Sequence, residues 1–215
     1  MYAKGYISEY DNSCVTVIVP FDSPWLLAKR NITECEVILD DGRRVSADQR
    51  KKIYATMRDI SNYTGHMPDE IKALSKYDFI AKTGCDYFSL SDCNMTRANE
   101  FLTFLIDFCL EHDIPCEDNL LGRSPDVSRY IYSCLTHKRC CVCGGKAELH
   151  HAEDRVGTGR SRKEITHTGM RAQPLCRKHH TEVHTIGQTT FNEKYHIYGI
   201  KLDSDLCRIW NVKGE

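Results

Sequence analysis

Four residues in the second half of the chain, Cys140, Cys143, Cys176 and His179, have the types and spacing of a zinc site. Cys140 and Cys143 form C-x2-C just before Gly144 and Gly145. Glycine permits the tight reversal that turns two thiolates toward one ion. Cys176 and His179 form a second unit, C-x2-H. Together they offer three sulfurs and one nitrogen, a tetrahedral set for a structural Zn²⁺. Cys141 could join only through an unusual C-x-C geometry and reads as an accidental neighbour. The competing reading is reduced cysteines packed in a small core.

The histidines beside this set form a separate group. His150 and His151 end an apolar-polar run, KAELHH, that predicts a strand. Adjacent strand residues point to opposite faces, so the two imidazoles should do different jobs. His180 and His184 are four apart and share one helix face. With His150 they could hold a divalent cation, which leaves His151 to act as general base on water. Such a division suits phosphodiester hydrolysis: a cation stabilises charge on the scissile phosphate, and a neutral imidazole accepts a proton. Otherwise these residues are alternative zinc ligands or surface histidines.

The elements that must carry these groups are readable in outline. The run from Cys14 to Pro20 and the run from Cys35 to Gly42 are strand-like, with Asp41-Gly42 a turn signal. Trp25 to Arg30 suggests a short helix between them. Ser46 starts a helix, with Gln49 completing a capping box, and Ile53, Tyr54, Met57 and Ile60 follow at helical spacing until Gly65. Pro68 opens the next helix, and Asn94 or Thr96 caps a third, whose apolar face includes Phe101, Leu102, Leu105, Phe108 and Cys109. A last helix is expected from Asp126 to Leu135, and Cys85 to Leu90 reads as a short strand. The final YGIKLDSDLCRIW reads as a strand or cap. The fold class is α+β. A mixed strand-helix domain over 1–136, large enough for its own core, precedes a zinc-bearing domain over 137–215.

Charge divides at the same place. The 215 residues carry net −1, yet residues 1–136 hold 15 basic and 21 acidic residues, whereas 138–184 hold ten basic and five acidic. A basic segment on an acidic chain is an electrostatic footprint for a polyanion. Arg160 and Arg162 in the glycine-rich stretch GTGRSR, and Arg43, Arg44, Arg50 and Lys51 around the first long helix, are candidate nucleic-acid contacts. GTGRSR lacks the GKS or GKT ending of a phosphate-binding Walker loop. No apolar run approaches the roughly 18 residues of a membrane span. The N-terminal MYAKGYISEYDNS shows no signal-peptide core. A cytoplasmic chain with free thiols is therefore expected, and no membrane partner. Cys109, Cys134 and Cys207 then read as small core residues.

The segments LHH, PLCRKHH and EVH resemble the HNH endonuclease superfamily in its zinc-stapled form, and the whole chain resembles the HNHc nucleases of bacteriophages. The resemblance implies a ββα-metal hairpin and helix. His150 falls on the first metal position, His151 on the general base, and His180 and His184 on the closing metal positions. The thiolate knuckles fall on Cys140, Cys143, Cys176 and His179, the last more commonly Cys. The family's central Asn is missing: no Asn occurs from residue 144 to 190. Arg171 and His167 are the candidates for its place. RRVSADQRKKIYATMRDIS and MTRANEFLTFLIDFCLEHDIP, within residues 40–115, resemble the NinB/Orf family of phage recombination proteins. That likeness implies single-stranded DNA binding and a homodimer.

The expected function is a metal-dependent DNA endonuclease in phage DNA recombination or processing. Its catalytic cation would be Mg²⁺ or Mn²⁺, with Zn²⁺ or Ni²⁺ also suited to a histidine-rich site. The expected substrate is single-stranded or branched DNA in the bacterial host cytoplasm, beside phage or host recombination and single-strand-binding proteins. The alternative is a non-catalytic, zinc-stabilised recombination accessory protein that binds single-stranded DNA.

Overall fold

A computed structural model describes residues 5–33, 35, 37, 42–152 and 166–214. The expected strand over 35–42 lies largely outside them, and GTGRSR with Arg160 and Arg162 lies wholly outside. Among the described residues the architecture is mixed α/β with two small antiparallel sheets.

The chain begins with a hairpin, β1 (Tyr6–Tyr10) and β2 (Val15–Ile18), followed by a short helix α1 (Trp25–Lys29). Asp11 holds the hairpin turn: its Oδ1 accepts from the backbone N–H of Ser13 at 2.6 Å and of Cys14 at 2.8 Å. These bonds, the Ser13 N–H foremost, hold the Asp11 carboxyl down at about 2.

Helix α2 (Ala47–Thr64) starts as its sequence dictates. Ser46 accepts from the Gln49 N–H at 3.1 Å, and Gln49 Oε1 accepts from the Ser46 N–H at 2.8 Å. Gly65 ends it at φ 77°, a left-handed turn glycine adopts without strain. Pro68 is the first residue of α3 (Pro68–Thr83). Asn94, not Thr96, caps α4 (Met95–Glu111), its side chain accepting from the Arg97 N–H at 2.7 Å. Cys85 to Leu90 is not a strand. That stretch instead carries Phe88 into an edge-to-face aromatic cluster with Phe79 and Phe101, so packing replaced ladder bonds there.

Helix α5 (Leu120–Arg123) was not expected. It brings Arg123 onto Asp59 of α2 at 2.6 Å, a pair whose side chains are at most 4% exposed. Helix α6 (Val127–Thr136) then packs between the two halves of the chain. It contacts α4 on one side and, on the other, the second sheet and a late helix α9 (Ser204–Ile209). That late helix was also unexpected; Asp203 caps it. One hydrophobic cluster runs from Val45 through Leu105, Ile131 and Leu135 to Leu175, Leu202 and Leu206.

The second sheet has order β3 (Glu148–His151), β4 (Arg171–Leu175), β5 (Ile200–Lys201), all antiparallel. β5 pairs only with Arg171 and Ala172, so Pro174 needs no N–H on that side. Helix α7 (Arg177–Ile186) leaves β4 directly, and Gly187 turns the chain into α8 (Gln188–Tyr195). No described helix is long and apolar enough to cross a membrane.

Candidate metal centre and active site

The backbone builds the first cluster from two tight turns. Cys140 N donates to Gly145 O at 2.7 Å, and Gly144 N donates back to Cys140 O at 2.8 Å. Gly144 sits at φ 73°, the conformation that justifies glycine there. The facing turn is the start of α7, where Cys176 occupies the N-cap and His179 lies one turn on. A bond from Cys141 N to Pro174 O, 3.0 Å, ties the two turns together.

The four ligand atoms of Cys140, Cys143, Cys176 and His179 lie within 4.8 Å of one another. Cys143 and Cys176 sulfurs are 3.7 Å apart. His179 Nδ1 is 3.4 Å from Cys140 Sγ and 3.2 Å from Cys176 Sγ. Zinc bonds of about 2.3 Å to sulfur and about 2.0–2.1 Å to nitrogen, at tetrahedral angles, require about 3.8 Å between sulfurs and about 3.6 Å between sulfur and nitrogen. These three separations match those edges to within a few tenths of an ångström and the remaining ones stay within 4.8 Å, so this Cys3His cluster fits a structural zinc. Cys141 is buried and outside it.

Without an ion, burial pushes the Cys140 thiol up to about 12. Cys176 moves the other way. Burial works against it, but the N–H groups of His179 and Lys178 and the thiols of Cys143 and Cys140 hold it below its ordinary value. A helix N-terminus is a favourable place for a thiolate.

The second cluster is built on β3 and α7. His150 and His151 do face opposite ways. His150 is buried, 6% exposed, against His180 and His184, with ring centroids 4.9 and 5.2 Å away; His180 and His184 are themselves 5.0 Å apart. One ring nitrogen of each lies within 4.8 Å of the other two. Burial holds the His150 imidazole below its ordinary value, in the neutral form that offers a lone pair.

Two neighbours of these rings had not been singled out. Glu148 lies two residues before His150 and therefore on the same strand face, and its Oε2 is 2.9 Å from His180 Nδ1. That hydrogen bond, with Arg177 3.4 Å away, holds the Glu148 carboxyl below its ordinary value. The period-2 rule would have found this residue. Gln188 Oε1 lies 2.8 Å from His150 Nε2. Nothing in its spacing pointed to it, because Gly187 redirects the chain between α7 and α8.

On the other face of β3, His151 Nε2 is 2.9 Å from Nδ1 of His167. His167 is 4% exposed, and its backbone N–H donates to Lys213 O at 2.8 Å. Opposite His151 in the register stands Ala172, a small side chain. Arg171 points elsewhere: its NH1 donates to Gly199 O at 3.0 Å, while its own carbonyl accepts from Ala152 N at 2.9 Å. Of the two candidates for the missing Asn, His167 therefore touches His151, and Arg171 braces the sheet against the 199–201 segment. Gly199 is required there, since a Cβ would come within 2.5 Å of Ala152 Cβ.

The basic residues around α2 are partly engaged within the chain. Arg44 NH1 donates to Asp92 O at 2.9 Å and Arg50 NH1 to Ser91 O at 3.4 Å. Lys51 is exposed. Beside it, Tyr54 is 45% exposed with Lys72 Nζ 5.6 Å from its ring centroid.

No curated protein and no solved structure matches the chain. A family model described as "Putative HNHc nuclease" matches residues 22–214, which take in α1 through α9, the Cys3His cluster and every described histidine of the second site. The chain belongs to the HNHc nuclease family.

Proposed function

We propose that the protein is a metal-dependent DNA endonuclease that hydrolyses phosphodiester bonds with His151 as general base, on a ββα-metal frame made by β3, β4 and α7. The observation that carries this reading is the division of labour across one strand. His150 turns into a three-histidine cluster with His180 and His184, while His151, the next residue, turns to the opposite face and pairs with His167. A purely structural zinc protein has no use for that second arrangement, because its four ligands are already supplied by Cys140, Cys143, Cys176 and His179.

A divalent cation held by His150, His180 and His184, Mg²⁺ or Mn²⁺ with Zn²⁺ or Ni²⁺ also suited to nitrogen ligands, supplies Lewis-acid charge at the scissile phosphate. The chain itself handles the proton. In the productive tautomer His151 donates Nε2–H to His167 Nδ1, and its other ring nitrogen, Nδ1, is the base that accepts the water proton. The water oxygen bonds to phosphorus, the P–O3′ bond breaks, O3′ takes up a proton from solvent, and the ends are a 5′-phosphate and a 3′-hydroxyl. As His151 becomes imidazolium, its bond to His167 strengthens. His167 thus takes the orienting place of the absent Asn. Arg171 acts at one remove, by holding the strand that faces the base.

The substrate in this reading is single-stranded or branched DNA met during phage recombination in the bacterial cytoplasm, with a homodimer and recombination or single-strand-binding proteins as company. The 1–136 half would contribute binding. In support, Lys51 and Tyr54 are exposed on α2 and the half-buried Lys72 of α3 lies over the Tyr54 ring, a combination of cationic and aromatic side chains suited to stacked bases and phosphates. Arg43, Arg44 and Arg50 lie beside it in sequence, and Arg160 and Arg162 would add phosphate contacts.

The test is cleavage of matched end-labelled single-stranded, duplex, flapped and four-way DNA with Mg²⁺ or Mn²⁺, beside His151→Ala. The expected result is cutting by the wild type that the substitution abolishes while zinc content is kept. No cutting of any substrate by a wild type that still binds DNA would overturn the nuclease reading in favour of a binding protein.

A further inference from the structure

Beneath His150 lies a chain of side-chain amides. Gln173 is Cα partner to His150 across the β3–β4 ladder, so both side chains emerge on the same face. Gln173 is fully buried, 0% exposed. Its Nε2 donates to Asn192 Oδ1 at 2.8 Å. Gln188 Nε2 donates to that same oxygen at 2.8 Å and to Gln173 Oε1 at 3.0 Å. Both hydrogens of the Gln188 amide are thereby used, and its oxygen remains to accept from His150 Nε2 at 2.8 Å. A ring nitrogen that donates there leaves Nδ1 with the lone pair.

We propose that Gln188 is the positioning residue of the three-histidine cluster, setting the tautomer of His150 so that Nδ1 faces His180 and His184. The inference rests on the reading of that cluster as a cation site. Glu148 performs the mirror task on His180. Its carboxylate can only accept, so Nδ1–H donates to it and Nε2 keeps the lone pair. Opposite tautomers on two rings, one from a strand and one from a helix, then turn two lone pairs toward one point. A neutral amide on the buried ring and a carboxylate on the more exposed one also limit the charge buried under the cluster.

The amides give the arrangement direction. If all three were turned over, Asn192 would donate to both glutamines, Gln173 would donate to Gln188, and Gln188 would donate to His150. Every bond would survive, but the proton of His150 would sit on Nδ1, facing the cluster and blocking it. One amide chain therefore has two self-consistent states, and only one is competent for a cation. The backbone that brings Gln188 here is equally specific. Gly187 stands at φ 84°, ψ 153°, a region open essentially to glycine alone, and it is what ends α7 and starts α8 beneath β3.

The experiment reads the tautomer directly. The full-length, zinc-loaded chain is labelled with ¹⁵N-histidine, and the long-range ¹⁵N–¹H correlation pattern of His150 is recorded without added divalent cation. Mn²⁺ affinity is then measured by titration; a thiolate-rich zinc site does not exchange for manganese. Wild type, Gln188→Met and Gln188→Glu are compared, with zinc content and melting temperature as checks of folding. Glu keeps an acceptor toward His150, and Gln173 and Asn192 can turn their amides to donate to it. Met keeps the length and removes the acceptor.

In the wild type His150 is expected to carry its proton on Nε2. Gln188→Glu keeps that pattern and Mn²⁺ affinity. Gln188→Met gives a mixture of tautomers and weakens Mn²⁺ by about 10–100-fold, the range typical of outer-shell partners. A wild-type His150 protonated on Nδ1, or a folded Gln188→Met chain with unchanged tautomer and affinity, would overturn the proposal. Failure of the nuclease reading looks different: DNA stays uncut by the wild type while the tautomer and Mn²⁺ results stand.

Discussion

Replacing Cys176 by Ala tests the zinc site at its most informative ligand. Cys176 caps α7, the helix that carries His180 and His184, so its sulfur couples the metal to the position of the second site. The ligand atoms already stand at tetrahedral separations, 3.7 Å for the Cys143–Cys176 edge and 3.2 Å for the Cys176–His179 edge. Little rearrangement is then needed on binding, and the affinity of a structural zinc site should be realised nearly in full. Such sites in small zinc-dependent folds contribute about 10–16 kcal/mol. Divided over four ligands that is about 2.5–4 kcal/mol each, or about two to three decades in zinc affinity. If the same energy is lost from the folded state, the melting temperature of a chain this size falls by about 5–15 °C. Competition with a chromophoric chelator reads the affinity, and calorimetry reads the melting temperature. Cys141→Ala is the paired control. It removes a buried sulfur next door in sequence and outside the cluster, so it should lose some packing and keep zinc. Equal zinc affinity in Cys176→Ala and wild type, or loss of zinc from Cys141→Ala, would refute the assignment of ligands.

Five further outcomes are expected. His151→Ala should lower the cleavage rate by about 10²–10⁴-fold, the usual worth of a general base. His167→Ala should lower it by about 10–100-fold, as outer-shell partners do; a His167→Ala rate equal to wild type would remove His167 from the mechanism. Gly199→Ala drives a methyl to 2.5 Å from Ala152 Cβ and should cost about 1–3 kcal/mol in urea unfolding. Asp59→Ala strands the Arg123 charge, whose side chain is 4% exposed, and should cost about 3 kcal/mol, the low end for a broken buried pair because Asp118 also lies 3.4 Å from Arg123. The hairpin turn should be pH-dependent. Asp11 has its folded carboxyl depressed to about 2 from 3.8, so its stabilisation is present above about pH 4 and lost as pH falls through about 2. Amide shifts of Ser13 and Cys14 that do not move over that range would contradict this.

Features governed by neighbours in sequence were readable from the chain. The capping box at Ser46, the glycine that ends α2, the proline that opens α3 and the restriction of the α4 cap to Asn94 or Thr96 all depend on contacts within four residues. The Cys-x2-Cys and Cys-x2-His units were readable for the same reason: each is one turn of backbone, and metal chemistry restricts the residue types. The opposition of His150 and His151 follows from the pleat of a strand. Where long-range packing competed with local pattern, the reading failed. Cys85 to Leu90 has strand-like composition, but Phe88 packs into the aromatic cluster with Phe79 and Phe101 and the stretch pairs with no strand. Helices α5 and α9 are too short to show a period.

Partnerships between distant residues needed the tertiary structure. His167 meets His151 only because the chain returns through β4 beside β3, across residues whose spacing says nothing about that distance. Arg171 was an equal candidate by counting, and its position on β4 sends it to Gly199 instead. Gln188 reaches His150 because one glycine, Gly187, takes a backbone conformation closed to other residues. Residue type and local spacing restrict which chemistry a chain can attempt. Which groups share a proton or face one ion depends on loop closures and strand register, and these are set by burial over the whole molecule.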